Sequence, residues 1–188
     1  MKRIRTALLW VLMAFVWCPY ALANEGLWTL LKGGGQVVLV RHALTSPGTG
    51  DPPGMTLDDC ATKRNLSDEG RAHARQLGQA LRAHGVPVGR VLSSPWCRCV
   101  ETARLAFGQA PEILPALGNL FGRSERTAQQ LGEIAPLAAQ RPARGNTILV
   151  SHGSTIAALT GIAPDTAEMV VLTPQGGSFT VAGRLSAP

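Results

Sequence analysis

Val37-Val38-Leu39-Val40-Arg41-His42-Ala43-Leu44-Thr45-Ser46, VVLVRHALTS, decides the reading of this chain. Gln36 to Val40 is a continuous apolar run of strand length behind Gly33-Gly34-Gly35, the pattern of a strand buried on both faces. It runs directly into an arginine and a histidine. A second run does the same, with Thr147 to Val150 leading into Ser151-His152-Gly153. In open parallel sheets ligands bind beyond the carboxyl ends of the strands, so both histidines are expected to face one crevice.

The segments between these runs alternate between helix and strand patterns. A long loop from Ala43 to about Asn65 is rich in Gly, Pro and Asp, and loops of that length in compact domains are usually functional. Ser67 is a candidate N-cap, with Asp68 and Glu69 favourable to the dipole of the helix that follows. Gly70, Ala74, Leu77 and Leu81 recur at helical spacing, and Gly85 and Pro87 end the segment. Arg90 to Ser93 reads as a second strand. Ser94-Pro95 is expected to open a helix carrying Trp96, Arg98, Thr102 and Leu105.

Glu112 to Leu117 is expected to be a third strand and Ser124 to Ala139 a third helix, with Leu131, Ile134 and Ala138 on one face. A short helix ending at Gly161 follows the second histidine. Glu168 to Thr173 and Ser178 to Ala182 flank a turn, Pro174 to Gly177, as a hairpin. The sum is one α/β domain of three layers, a mostly parallel sheet with helices on both faces.

The first residues read as a leader. Lys2, Arg3 and Arg5 precede an apolar run from Ala7 to Cys18, and Ala21-Leu22-Ala23 supplies small residues before a cut preceding Asn24. The run is about a dozen residues where a spanning helix needs about 20, so a signal peptide (residues 1–23) fits better than a stable membrane anchor. A lipoprotein signal around Cys18 is disfavoured by the bulky Trp17. Residues 24–188 then form the mature domain, in the periplasm or secreted. Its 15 basic residues against 12 acidic, from 18 and 12 in the whole chain, give no stripe fit for nucleic acid but suit an anionic substrate.

Cys60, Cys97 and Cys99 remain, an odd count that in an exported protein suggests one disulfide and one spare thiol. Cys97 and Cys99 are too close on a helix to face each other, which leaves Cys60 bonded to one of them. A zinc site is weakly supported, because the Cys-x-Cys has no second pair.

Four groups from separate parts of the chain are therefore candidates to converge: Arg41, His42, Arg98 and His152. Each alone has a bland explanation, as a strand end meeting water, a solvated helix charge or a simple turn. Together they match phosphoryl transfer, in which a neutral imidazole attacks phosphorus while cations hold its oxygens. LVRHA, RNLSDEGRAHA, SSPWCRCVETA and VSHGST resemble, in order, the signature blocks of the histidine phosphatase superfamily, also called phosphoglycerate mutase-like. Ala43 stands where glycine is commoner in that family.

The resemblance implies a phosphoglycerate mutase-like fold, His42 as nucleophile, and Arg41, Arg98 and His152 around the phosphoryl oxygens. His152 would serve as a charged or hydrogen-bonding donor, and neither metal nor cofactor is needed. It also implies a small-molecule phosphate ester as substrate. Among exported relatives the chain is similar to the lipopolysaccharide core heptose-phosphate phosphatase and to acid phosphatases, with phosphohistidine phosphatases as the enzymatic alternative and a catalytically weak phosphate-binding protein as the other. The small packed residue usual at the position of Cys99 favours Cys97 as the partner of Cys60.

The departure lies at Asn119, where many members supply a carboxylic acid to protonate the leaving alcohol, and an amide cannot act as a general acid. The acid is then expected from the long loop, from Asp51 ahead of Asp58 or Asp59, or from Glu125 swinging in, or else the leaving group needs little help. Asp51 is equally readable as a turn-former. Asn65 is a candidate phosphate contact, and equally a residue shaping the turn before Ser67. His73 and His84, away from every motif, are expected on the surface.

Overall fold

In the computed structural model the described residues are 19–186. The expected leader lies largely outside them, and the first described element, helix α1 (Pro19–Lys32), runs across the Ala23–Asn24 bond. That helix was not anticipated. It lies next to the apolar leader run, and nothing in the local pattern separates the two.

The sheet has six strands: β1 (Val37–Arg41), β2 (Val88–Ser93), β3 (Glu112–Ile113), β4 (Asn146–Ser151), β5 (Met169–Pro174) and β6 (Phe179–Leu185), in the order β3-β2-β4-β1-β5-β6. The first four positions in that order are parallel, and β5 and β6 close the other edge antiparallel. The remaining helices are α2 (Asp68–Ala83), α3 (Cys97–Phe107), α4 (Thr127–Ala139) and α5 (Gly153–Thr160).

The period of two along the buried strands sorts the helices. Val38 and Val40 of β1 point to the side covered by α1, α2 and α3, with Leu31, Leu77 and Ala103 in the same cluster. Val37 and Leu39 point to the other side, against Ile134 of α4 and Ile156 of α5. This is the three-layer α/β arrangement read from the sequence. Truncating a side chain such as Leu39, 1% exposed, costs about 2–5 kcal/mol through lost burial and the cavity left behind.

Helix α2 starts as its sequence specifies. The Ser67 hydroxyl accepts from the Gly70 amide at 3.0 Å, and a Cβ at Gly70 would stand 1.8 Å from the Leu44 carbonyl oxygen. Only glycine lets the helix press this closely onto the chain just after His42. Ser67 N also donates to Leu44 O at 3.1 Å, and Ser46 N to Asn65 O at 3.1 Å, so the two ends of the long loop are tied together at its base.

Several expected boundaries shift for physical reasons. Pro95 does not open α3, which begins at Cys97, because the Ser94 hydroxyl accepts from Trp96 N and also meets the His152 ring. The third strand stops at Ile113, since Pro115 has no N–H for the ladder, and Pro115–Leu117 forms a 3-10 turn. Ser124–Arg126 is likewise a 3-10 turn, and α4 starts at Thr127. Its buried face carries Gln130, Ile134 and Ala138, with Leu131 only half-buried. His84 is no free surface residue: its ring stacks on Trp28 of α1 at 4.0 Å.

Among the described residues no helix is long and apolar enough to cross a membrane.

Candidate active site

Strand register builds the site. Arg41 of β1 pairs with Ser151 of β4, so the residues one step beyond, His42 and His152, leave the sheet side by side. Their ring centroids stand 5.3 Å apart at 68°. Strand β2 lies on the far side of β4, and Ser94 N donates to Val150 O at 2.9 Å, which carries the start of α3 and Arg98 to the same end of the sheet. Arg41, His42, Arg98 and His152 all line one cleft of about 480 Å³. The four candidates drawn from separate segments are thus brought together.

His42 is buried, and its Nδ1–H donates to the Ala43 carbonyl at 2.8 Å, which leaves the Nε2 lone pair free. Burial lowers its pKa to about 3; the Ala43 bond works the other way, while Arg98, Arg41 and Arg64 add to the lowering. The ring is neutral at ordinary pH, as a nucleophile must be. His152 is also pushed well below the usual histidine range, by burial and then by His42, Arg98, Arg123 and Arg41. Its Nδ1 faces an Arg98 terminal nitrogen at 3.4 Å, and arginine only donates, so the proton sits on Nε2, which meets Ser94 Oγ at 2.8 Å. His152 is thus uncharged in this arrangement, with both ring nitrogens occupied by Ser94 and Arg98.

The arginines are held by their outer nitrogens. Arg41 donates to Pro164 O at 2.8 Å, Arg64 to Gly48 O, and Arg98 to Asp51 and to Arg64 O. The Nε of each of the three is buried without a partner. Three arginines line this one cleft with no carboxylate among its lining residues, which concentrates positive charge there and suits an anion.

Asp51 is not free to be the acid. Its two oxygens take both terminal nitrogens of Arg98, the Trp96 indole N–H at 3.0 Å and the Arg64 amide at 3.3 Å. Burial raises its pKa, but the Arg98 bonds and charge, with Trp96 and Arg64, outweigh that and hold the carboxyl below the usual range. Asp51 is ionised and positions Arg98; it does not line the catalytic cleft itself. Asn65 is also outside that cleft, with Nδ2 on Cys60 O at 2.6 Å, so it shapes the loop base. Asp58, Asp59 and Glu125 are exposed and line neither this cleft nor the one beside it, and Asp59 caps the Cys60–Thr62 turn.

Asn119 does stand at the cleft. Its Oδ1 accepts from Phe121 N at 3.1 Å and Ser154 Oγ at 2.8 Å, while Gln130 of α4 braces the preceding backbone through Ala116 O and Gly118 O. A disulfide joins Cys60 to Cys97, fastening the long loop to the residue beside Arg98. Cys99 is free and buried, its thiol pushed up to about 12 by burial, so it packs rather than reacts.

Sequence reasoning missed Arg64, Arg123 and Ser94. Arg64 lies inside the quoted RNLSDEG block, but nothing local marks it off from a solvated charge.

A neutral, buried imidazole ringed by arginines at the carboxyl ends of parallel strands defines a phosphoryl-transfer type of site. The chain belongs to the histidine phosphatase superfamily, branch 1, whose model matches residues 37–131. Solved structures share the fold at low identity. One is the protein histidine phosphatase SixA complexed with tungstate, at 20% identity and TM-score 0.56, covering 81% of this chain and 97% of that one. Another is a mycobacterial glucosyl-3-phosphoglycerate phosphatase complexed with VO3, at 18% identity and TM-score 0.61, covering 81% and 99%. A third is a phosphoserine phosphatase from Entamoeba histolytica with 3-phosphoglyceric acid, at 13% identity and TM-score 0.60, covering 80% and 96%. No curated protein matches the chain.

Proposed function

We propose that the protein is an exported phosphatase that hydrolyses phosphate monoesters through a phosphohistidine on His42. The observation that carries this is the neutral His42 with Nε2 free, beside the three unpartnered guanidinium Nε groups of Arg41, Arg64 and Arg98. Nε2 attacks phosphorus, the bond to the leaving oxygen breaks, and the arginines hold the equatorial oxygens as charge redistributes. Water then attacks the phosphohistidine, the P–N bond breaks, and inorganic phosphate leaves with His42 restored. His152, bonded to Ser94 through Nε2 and facing Arg98 through Nδ1, lines the cleft beside His42 and positions Arg98.

Export rests on the leader pattern of residues 1–23 and agrees with the Cys60–Cys97 bond, which persists in an oxidising compartment. A phosphorylated envelope sugar, such as a lipopolysaccharide core heptose phosphate, is the substrate class that follows from export. A second reading, a phosphohistidine phosphatase, is favoured by one observation: the catalytic cleft has no carboxylate among its lining residues, and Asp51 nearby is committed to Arg98. A phosphoramidate needs less help in leaving than a sugar alkoxide.

Purified mature protein assayed against aryl phosphate, phosphorylated sugars and a phosphohistidine peptide tests these readings. Hydrolysis lost in His42→Ala supports a phosphatase, and the preferred substrate chooses between the two. Tight phosphate binding with no turnover of any ester or phosphohistidine peptide would leave a binding protein instead.

A further inference from the structure

The catalytic cleft continues into a second one of about 430 Å³, and the two share Thr49, Gly50, Asn119 and Phe121. Phe121 stands on this boundary with 58% of its surface exposed, although its backbone is braced by the bond from its amide to Asn119 Oδ1. An aromatic face left in water at the mouth of a site is a platform for a ring. Asn119 spends its oxygen on Phe121 N and Ser154 Oγ, and its Nδ2 makes no hydrogen bond among the described residues.

Arg123 lines only the outer cleft, its guanidinium carbon 5.5 Å from the Trp96 ring centroid. Among the described residues, no carboxylate lies within ion-pair distance of Arg41, Arg64 or Arg123. A bound phosphate ester brings roughly 1.5 to 2 negative charges. Arg41 and Arg64 of the inner cleft balance that, with Arg98 already paired to Asp51. Arg123 is a surplus cation one cleft further out, since Asp51, the carboxylate that also lines the outer cleft, is neutralised by its pair with Arg98.

We propose that Phe121, Asn119 and Arg123 form a leaving-group subsite for a cyclic polyol carrying a second anionic group. The ring lies on Phe121, a hydroxyl accepts from Asn119 Nδ2, and the second anion pairs with Arg123. This rests on the phosphatase reading above and narrows its substrate class.

The test compares kcat/KM for glycerol 1-phosphate, a hexose monophosphate and a hexose bisphosphate, with wild type, Phe121→Ala, Arg123→Gln and Arg123→Lys, each checked for folding by thermal melting. Wild type is expected to favour the bisphosphate over the monophosphate about tenfold or more. Arg123→Gln erases that preference, mainly through KM, and Arg123→Lys keeps part of it. Phe121→Ala lowers both hexose substrates several-fold more than glycerol 1-phosphate. Equal kcat/KM for mono- and bisphosphate in wild type, or one common factor of loss for all substrates in Arg123→Gln, overturns the subsite. Should wild type hydrolyse none of them, nor an aryl phosphate or a phosphohistidine peptide, the phosphatase reading has failed; whenever these three substrates are not turned over, calorimetric affinity decides the subsite. Tighter bisphosphate binding by wild type but not by Arg123→Gln then supports it, and equal affinity overturns it.

Discussion

Asp51 grips Arg98 through both terminal nitrogens of the guanidinium, at 2.5 and 3.2 Å, with side chains only 5% and 2% exposed. Breaking such a pair strands the Arg98 charge in a buried setting, which costs about 3 kcal/mol or more. Asp51→Asn is therefore expected to lose about that much in denaturant unfolding at neutral pH. In wild type the pair contributes above the ordinary carboxylate pKa and is lost as pH falls through the lowered value, so only strong acid abolishes it. An Asp51→Asn protein as stable as wild type would contradict the pairing.

The same pair makes a kinetic prediction. With Asp51 occupied and no carboxylate among the residues lining the catalytic cleft, the proposed phosphatase is expected to release its alcohol unassisted. A series of aryl phosphates is expected to show kcat/KM rising steeply as the leaving-group pKa falls. Asp51→Asn lowers every member by a similar factor, about tenfold to a hundredfold, because it misplaces Arg98 without removing a proton donor. A flat series, or a loss confined to poor leaving groups, would mean that Asp51 gives up Arg98 and acts as the acid.

Burial of neutral His42 has a cost in acid. Its pKa is about 3 in the fold against 6.5 for an ordinary histidine, so between these values the unfolded chain binds more protons and stability falls as pH falls. The difference amounts to about 2 kcal/mol at pH 5 relative to pH 7.5. His42→Gln should remove that share of the slope across the window, above the range where Asp51 titrates, and leave the share that buried His152 contributes in the same direction. Parallel profiles for the variant and wild type would place a charged or exposed His42 in solution.

The Cys60–Cys97 bond spans 37 residues and ends beside Arg98. Replacing both cysteines by serine is expected to cost about 4 kcal/mol from the freed loop, and to weaken phosphate binding as the loop bearing Asp51 loosens. Peptide mapping of oxidised protein should find Cys60 linked to Cys97, with Cys99 alkylated only after unfolding. A Cys60–Cys99 peptide or three free thiols would contradict the structure.

What was legible in the sequence was local. The apolar runs ending in Arg41-His42 and Ser151-His152, and the Ser67 cap, are decided within a few residues, and parallel pairing of two such strands places both histidines together. The groups that tune the site come from loops. Asp51 meets Arg98 across a separation of 47, and Arg64 and Arg123 look like any solvated arginine until the fold turns them inward. Asp51 and Asn65 carried side chains suited to a role at phosphate, but loop geometry gave them structural partners instead. The third strand ended early because Pro115 removes a donor, a rule visible in the sequence but outweighed there by the apolar run around it.

The central claim is covalent phosphorylation of His42. Rapid acid-free quenching during turnover of a 32P-labelled phosphate ester, followed by peptide mapping, is expected to place an acid-labile, base-stable phosphate on the His42 peptide, absent in His42→Ala. Label on another residue, label that persists in His42→Ala, or phosphate released in a single turnover with no labelled protein at any time would contradict the account.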